Sequence, residues 1–392
     1  MKLLITNIAA CSRSGTEVVT AELLMELRRR GHDVVLYSPQ CGELAKSLKA
    51  KGISVVEQIG QVPFIPDLIH GHHNTCIAAA ITRFPDTPCL MVCHDYDVYH
   101  DLPFVHPSIY RYVAVDALCL RRLKEHGIPE ERSLIINNRV DLDAYRPKSV
   151  IREKPAKALI LSKGSAHEEL VQEACLRHGI QLDRLGPAFG NEVDNLHDLL
   201  PEYDLVFATA RMALEAATCG CGVIVMDHRG LAGALNTANW SEWYHWNLGR
   251  GILSHPVNAK TIEDAFQSLD WANLDALTSL VRESAGLAEG VDQFESLYAD
   301  ILEESKMPSE NRPPFGGAPD FATFLEDYLP GYNTSRPSHD VFRFLTDEKT
   351  TPEMEMLRQL QDSFDRRIAQ LEEQLKLEES TPRESSAIPS ES

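Results

Sequence analysis

Leu205-Val206-Phe207-Ala208, then Thr209-Ala210-Arg211-Met212-Ala213-Leu214-Glu215-Ala216-Ala217-Thr218-Cys219-Gly220, then Gly222-Val223-Ile224-Val225-Met226-Asp227 decide the fold class. Two short apolar runs flank a helical stretch, Met212 to Cys219, rich in small residues. A glycine stops that stretch, so it reads as strand, helix, strand, the unit of a parallel sheet. Glu215 is an acid among apolar and small residues, and burying it alone is expensive. It calls for a hydrogen-bonding ligand such as a ribose diol, or for an arginine partner, Arg211 or Arg229. Thr209, Ala210 and Arg211 sit where the helix opens from the strand, a place suited to a diphosphate.

The same grammar repeats on both sides. Lys2 to Ile8 and Asp33 to Tyr37 are strand-like, and between them Val18, Val19, Leu23, Leu24 and Leu27 mark a helix ended by Gly31. Short apolar runs recur at 68–70, 89–93, 112–115 and 134–136. After a polar stretch at 146–155 the pattern restarts with Ala158 to Leu161, followed by a helix from about Glu168 to His178. The architecture is α/β: two tandem Rossmann-like domains, 1–150 and 155–304, with a C-terminal helical extension.

Beyond them, 305–350 reads as linker with an unassigned portion. Leu357, Leu360, Phe364, Ile368, Leu371 and Leu375 then step by three and four, a coiled-coil stripe within 351–379 and a candidate for homo-oligomerisation through 357–375. The alternative is an amphipathic helix docked on its own domain. Residues 380–392 have the composition of a disordered tail.

The chain has 392 residues, with Lys+Arg 38 against Asp+Glu 58, a formal net charge of −20. That length suits two domains plus an extension. The acidic balance disfavours nucleic acid as a partner, while leaving cations for a small anionic ligand. Nine scattered cysteines are an odd number in a long chain, which favours free thiols over a disulfide framework. Cys219-Gly-Cys221 lacks the companions of a zinc site, so no metal is expected. The apolar start is too short and too interrupted for a signal peptide, and a cytoplasmic location is expected. Arg28-Arg29-Arg30 reads as a solvated helix end rather than a membrane contact.

Other chemistry-bearing positions are fewer. Gly15 follows the first strand and either allows close approach of an anion or simply makes the turn. Cys93-His94-Asp95-Tyr96 ends an apolar strand, where open α/β sheets take ligands; His94 is a hydroxyl ligand, a proton relay or a structural histidine. Arg139, in Asn137-Asn138-Arg139-Val140-Asp141, either faces a cleft or lies on the surface.

In order and spacing these pieces resemble glycosyltransferases of the GT-B fold, and family 4 among them, over roughly residues 1–255. The resemblance rests on Gly15 with Arg30-Gly31-His32-Asp33-Val34, on Pro66 to His73, and on Cys93-His94-Asp95. It continues through Asn138, Val140-Asp141, Tyr145 and Pro147, and through Leu214-Glu215-Ala216 with Gly220 and Val223. It implies a retaining, metal-independent hexosyltransferase without a cofactor. Its substrate would be a nucleotide-diphosphate sugar donor, bound by the second domain, with an unidentified acceptor on the first. The implied catalytic residues are His94, Lys163 and Glu215. The implied donor-binding set is Gly15, Arg139, Lys163, Gly186, Thr209, Ala210, Arg211 and Glu215. Three positions depart from the family pattern. Phe207 stands eight residues before Glu215, where a first glutamate is usual; Arg139 replaces a glycine; and the phosphate clamp is reduced to Ser162-Lys163-Gly164. A catalytically degenerate scaffold is therefore an alternative, and a nucleotide-sugar epimerase a weaker one.

Overall fold

The protein is described here by a computed structural model, which covers residues 1–12, 15–149, 154–162, 164, 166–186, 189–191, 193, 196–307 and 321–328. Lys163, the expected coiled coil at 351–379 and the tail at 380–392 lie outside the described residues. Of 305–350, only 305–307 and a helix over Phe321–Tyr328 are described. The chain forms two compact units, Met1–Phe321 and Ala322–Ser392. The architecture below is that of the first.

Seven strands form the N-terminal sheet: β1 (Lys2–Thr6), β2 (Asp33–Tyr37), β3 (Ser54–Val56), β4 (Leu68–His72), β5 (Cys89–Cys93), β6 (Ile109–Ala114) and β7 (Ser133–Ile135). Their order is β3-β2-β1-β4-β5-β6-β7, all parallel. β4 and β5 are buried along their whole length, as expected of parallel strands covered on both faces by helices. The helices that matter for the site are α1 (Gly15–Arg29), α2 (Asn74–Arg83) and α3 (Ala117–Glu125).

The second sheet contains β8 (Lys157–Leu161), β9 (Gln181–Leu185), β10 (Leu205–Ala208), β11 (Gly222–Asp227) and β12 (Gly230–Ala234), in the order β9-β8-β10-β11-β12. Only β12 is antiparallel, a hairpin on β11. Helix α4 (Glu168–Arg177) follows β8, and α5 (Ala210–Thr218) follows β10 after the single residue Thr209. The two sheets, parallel except for β12, bear out the α/β reading of the sequence.

The chain crosses between the sheets twice, and the crossings touch. Val140 N–H donates to Ala285 O (2.9 Å), and Leu287 N–H donates to Val140 O (2.9 Å). After the second crossing, α6 (Leu287–Ser305) packs on the N-terminal sheet. Its Tyr298, fully buried, pairs with His70 Nδ1 at 2.6 Å. Arg30 holds Asp292 and Glu295, and Arg111 holds Glu304. No helix among the described residues is long and apolar enough to cross a membrane.

Candidate functional site

A pocket lies over the carboxyl ends of β4, β5, β6 and β7. Its walls include His70, His72, His94, Asn138 and Arg139, with Glu22 from α1, Phe294 from α6 and Arg211 from α5. Loops at strand ends are where an open α/β sheet places polar groups that its core cannot accommodate. The histidines come close to one another because His70 and His72 are two residues apart on β4, and His94 ends neighbouring β5. His72 Nδ1 and His94 Nε2 share a hydrogen bond at 2.6 Å. Burial holds these rings well below the usual histidine range, His70 down to about 3 and His94 down to about 4. They are therefore neutral at pH 7. The Nε2 atoms of His70 and His72, and Oε2 of Glu22, are buried without a partner.

Arg211 is the centre of the electrostatics. Its Nη2 donates to Glu22 Oε1 at 2.6 Å, its Nε to Glu215 Oε1 at 2.8 Å, and its Nη1 to Arg139 O at 3.0 Å. Burial acts to lower its pKa, but the Glu22 and Glu215 carboxylates outweigh it and hold the guanidinium above its ordinary value. Burial also raises the Glu22 carboxyl, opposed by Arg211. Burial and the Glu215 carboxylate together raise the hydroxyl of Tyr145, from the stretch that leaves the first sheet. Of the two partners open to Glu215 in the sequence, this structure holds the arginine.

The remaining expected residues fall at several places. Gly15 opens α1, and a Cβ there would meet nothing within 4 Å. Just before it, the amides of Cys11 and Ser12 donate to the Glu17 carboxylate at 2.6 and 3.1 Å, so part of this turn is already occupied by the protein's own anion. Arg139 donates to Ser284 O and to Gln293 Oε1, and thus holds the second crossing and α6 as well as lining the pocket. Gly186, at the end of β9, has φ +123°, and a Cβ would come within 2.6 Å of Ser162 O; backbone packing alone demands glycine there. Thr209 Oγ1 approaches Asp227 Oδ2 at 3.5 Å, and Ala210 N–H donates to Leu248 O. Phe207 is fully buried inside β10 and packs on Phe266, so its position faces core rather than ligand.

Sequence reading missed three features. His167, just before α4, is 2% exposed, with neither ring nitrogen partnered. Asp227, at the end of β11, grips Arg229, with Nη2 to Oδ2 at 2.6 Å. A cluster of His73, His100 and Asp101 lies at the ends of β4 and β5. His73 belonged to a segment noted only for family likeness; His167 and Asp101 carried no local pattern.

Residues 13–144 match the family model of Glycosyltransferase Family 4. A glycosyltransferase from Rickettsia africae ESF-5 superposes with a TM-score of 0.53 at 16% identity, covering 77% of this chain and 99% of its own. Anabaena Alr3699/HepE, solved in complex with UDP, gives 0.55 at 13% identity, covering 76% and 100%. The catalytic domain of starch synthase IV from Arabidopsis thaliana, bound to ADP and acarbose, gives 0.50 at 12% identity, covering 77% and 99%. No curated protein sequence matches the chain. The fold is GT-B, and the segment from 13 to 144 resembles glycosyltransferase family 4.

Proposed function

We propose that the protein is a glycosyltransferase that moves a sugar from a nucleotide-diphosphate sugar to an acceptor hydroxyl, with retention and without a metal ion. One observation carries the reading: a pocket over the carboxyl ends of one parallel sheet, where His70, His72, His94 and Glu22 stand among apolar side chains and Arg211 reaches in from the helix that follows β10 of the other sheet. The first sheet's half, residues 1–150 with the returning α6, takes the acceptor, and the second sheet's half takes the donor. Gly186, Thr209 and Ala210 lie along the diphosphate, with Lys163 its cation by sequence resemblance, while His94, Gly15 and Arg139 line the sugar side. Glu215 receives the ribose diol through the carboxylate oxygen that Arg211 does not hold. The bond from the anomeric carbon to the diphosphate breaks, and its electron pair leaves with the phosphate. The acceptor oxygen bonds to that carbon and loses its proton to a donor phosphate oxygen. Stabilising the departing charge is then the protein's main task.

A second reading has its own support. Glu215 is already paired with Arg211, and Phe207 is core; on this reading the chain is a silent GT-B protein that binds but does not transfer. Because HepE is solved with UDP and with UDP-glucose, uridine nucleotides are the first probes. Calorimetry with a panel of nucleotide sugars, on wild type, Glu215→Ala and Lys163→Ala, tests the reading. Binding that both variants weaken, with slow release of nucleoside diphosphate, supports transfer. Binding without turnover supports the silent protein. Absence of binding overturns both, and an isomerised sugar product marks an epimerase.

A further inference from the structure

The loop that leaves β5 is held more firmly than a connection requires. Arg122, buried on α3, donates from Nη1 to Asp95 O (2.6 Å) and from Nη2 to Val98 O (2.9 Å). Asn74, buried at the start of α2, donates from Nδ2 to Tyr99 O (2.7 Å) and Leu102 O (3.2 Å). Asp95 Oδ1 accepts the amides of Asp97 and Val98. Such support fixes what the loop presents, as second-layer hydrogen bonds do in built sites.

It presents His100 and Asp101 to His73. A ring nitrogen of each histidine and a carboxylate oxygen of Asp101 lie within 4.8 Å of one another, and the rings of His73 and His100 meet edge-on at 4.6 Å. Asp101 is 1% exposed, and its Oδ1 has no hydrogen-bond partner. His100, half-buried, forms the rim. The cluster stands at the head of β4 beside β1. These neighbours' onward connections run to opposite sides of the sheet order, and an open α/β sheet takes its ligands at such a switch point.

Two imidazoles and a carboxylate are a metal's donor set, but His73 is not free to serve as one. Its Nδ1 accepts the amide N–H of Ile8 at 3.1 Å, so in the neutral ring the proton sits on Nε2. A metal would have to break that bond or remove a second proton. The set instead offers one N–H donor on His73 and one unmet acceptor on Asp101, with no hydrogen bond between them. A hydroxyl accepts and donates at once, so a single O–H satisfies both. The nearby Asp95 disfavours an anionic ligand, and the Nη donors of Arg122 are spent on carbonyls.

We propose that His73, His100 and Asp101 form a subsite for a hydroxyl of a neutral saccharide, and that this saccharide is the acceptor. The word acceptor rests on the transferase reading; saccharide binding does not.

The test uses the full chain and saturation-transfer NMR with methyl glycosides of glucose, galactose, mannose and N-acetylglucosamine, alongside titration with UDP and UDP-glucose. At least one glycoside is expected to give a signal that falls tenfold or more in Asp101→Ala and in His73→Phe. Asp101→Asn keeps the shape and an acceptor oxygen and guards against a folding artefact; its signal falls about threefold. The proposal is overturned if no glycoside binds, or if Asp101→Ala leaves binding unchanged. It is also overturned if wild type takes up one Zn²⁺ that Asp101→Ala does not. If Asp101→Ala instead weakens UDP-glucose relative to UDP, the subsite belongs to the donor and the acceptor assignment falls. Glycoside binding through Asp101 in a chain that binds no nucleotide sugar supports the subsite and sinks the transferase reading alone.

Discussion

Arg211 and Glu22 form a 2.6 Å ion pair that ties helix α5 of the second sheet to helix α1 of the first. Glu215 grips the same guanidinium from α5 itself, and all three side chains are largely withdrawn from water. Removing the arginine leaves two buried carboxylates facing each other with nothing between them. Arg211→Met is therefore expected to lose about 3–5 kcal/mol of unfolding free energy. A triple change that adds Glu22→Gln and Glu215→Gln recovers most of it. Urea unfolding of the two variants checks this: a single variant as stable as wild type would show that the pair carries no weight.

Protonation gives the histidines a signature. In the folded protein His70 and His94 titrate at about 3 and about 4, below the ~6.5 of an unfolded chain. Below pH ~6.5 the unfolded chain binds more protons than the folded one, so stability is full above that value and falls as the pH drops toward 4. Thermal midpoints measured from pH 7.5 to 4.5 should decline, and less steeply in His94→Gln. A flat profile counts against the buried neutral cluster.

Asp101 has the opposite sign. Burial lifts its carboxyl to about 7, above the ~3.9 of the unfolded chain. The folded state therefore binds the extra proton, and stability from this group is lost as pH rises from about 4 through about 7. Asp101→Asn should be at least as stable as wild type at pH 8 and gain nothing at pH 4. Differential scanning at the two pH values separates the cases.

Gly71 lies in the middle of buried β4, where a Cβ would come within 2.4 Å of Ile77 Cγ1 and 3.0 Å of Leu90 O. Gly71→Ala should cost about 1–3 kcal/mol and shift His70 and His72 on either side of it. Chemical denaturation measures the first effect, and histidine ring NMR shifts the second.

His167 has two unpartnered ring nitrogens beside the carboxyl end of β8. If a nucleotide diphosphate binds at this edge, the ring is placed to donate to it. His167→Ala should raise the Kd for UDP about tenfold, the usual weight of a hydrogen bond to a charged group. An unchanged Kd would move the diphosphate elsewhere.

Much of the scaffold was readable because buried parallel strands must be apolar throughout. Asp33–Tyr37, Cys89–Cys93 and Gly222–Asp227 are bounded in the structure as their runs suggested. Ser54–Val56 was too short to stand out, and Gly230–Ala234 is glycine and alanine around the single Leu231, without β-branched residues, so neither declared itself. At the site, the sequence could say that Glu215 needed a partner. It could not say that Glu22, 189 residues from Arg211, would join them. Glu22 looks like any acid on a solvated helix face until α5 is laid against it. His73, His100 and Asp101 likewise belong to two loops whose meeting depends on sheet order, which no local period encodes.

The return of α6 bears on how the protein is made. Tyr298 and Ile301, both fully buried, complete the covering of the N-terminal sheet, yet they are synthesised after every strand of the second sheet. A ribosome that has released only the first 150 residues has released a sheet with an open flank, its His70 lacking the tyrosine hydroxyl and its Arg30 lacking two acids. The usual order, in which the N-terminal part of a chain folds first as it emerges, is thus interrupted: the earliest strands wait for residue 305 before their half is whole.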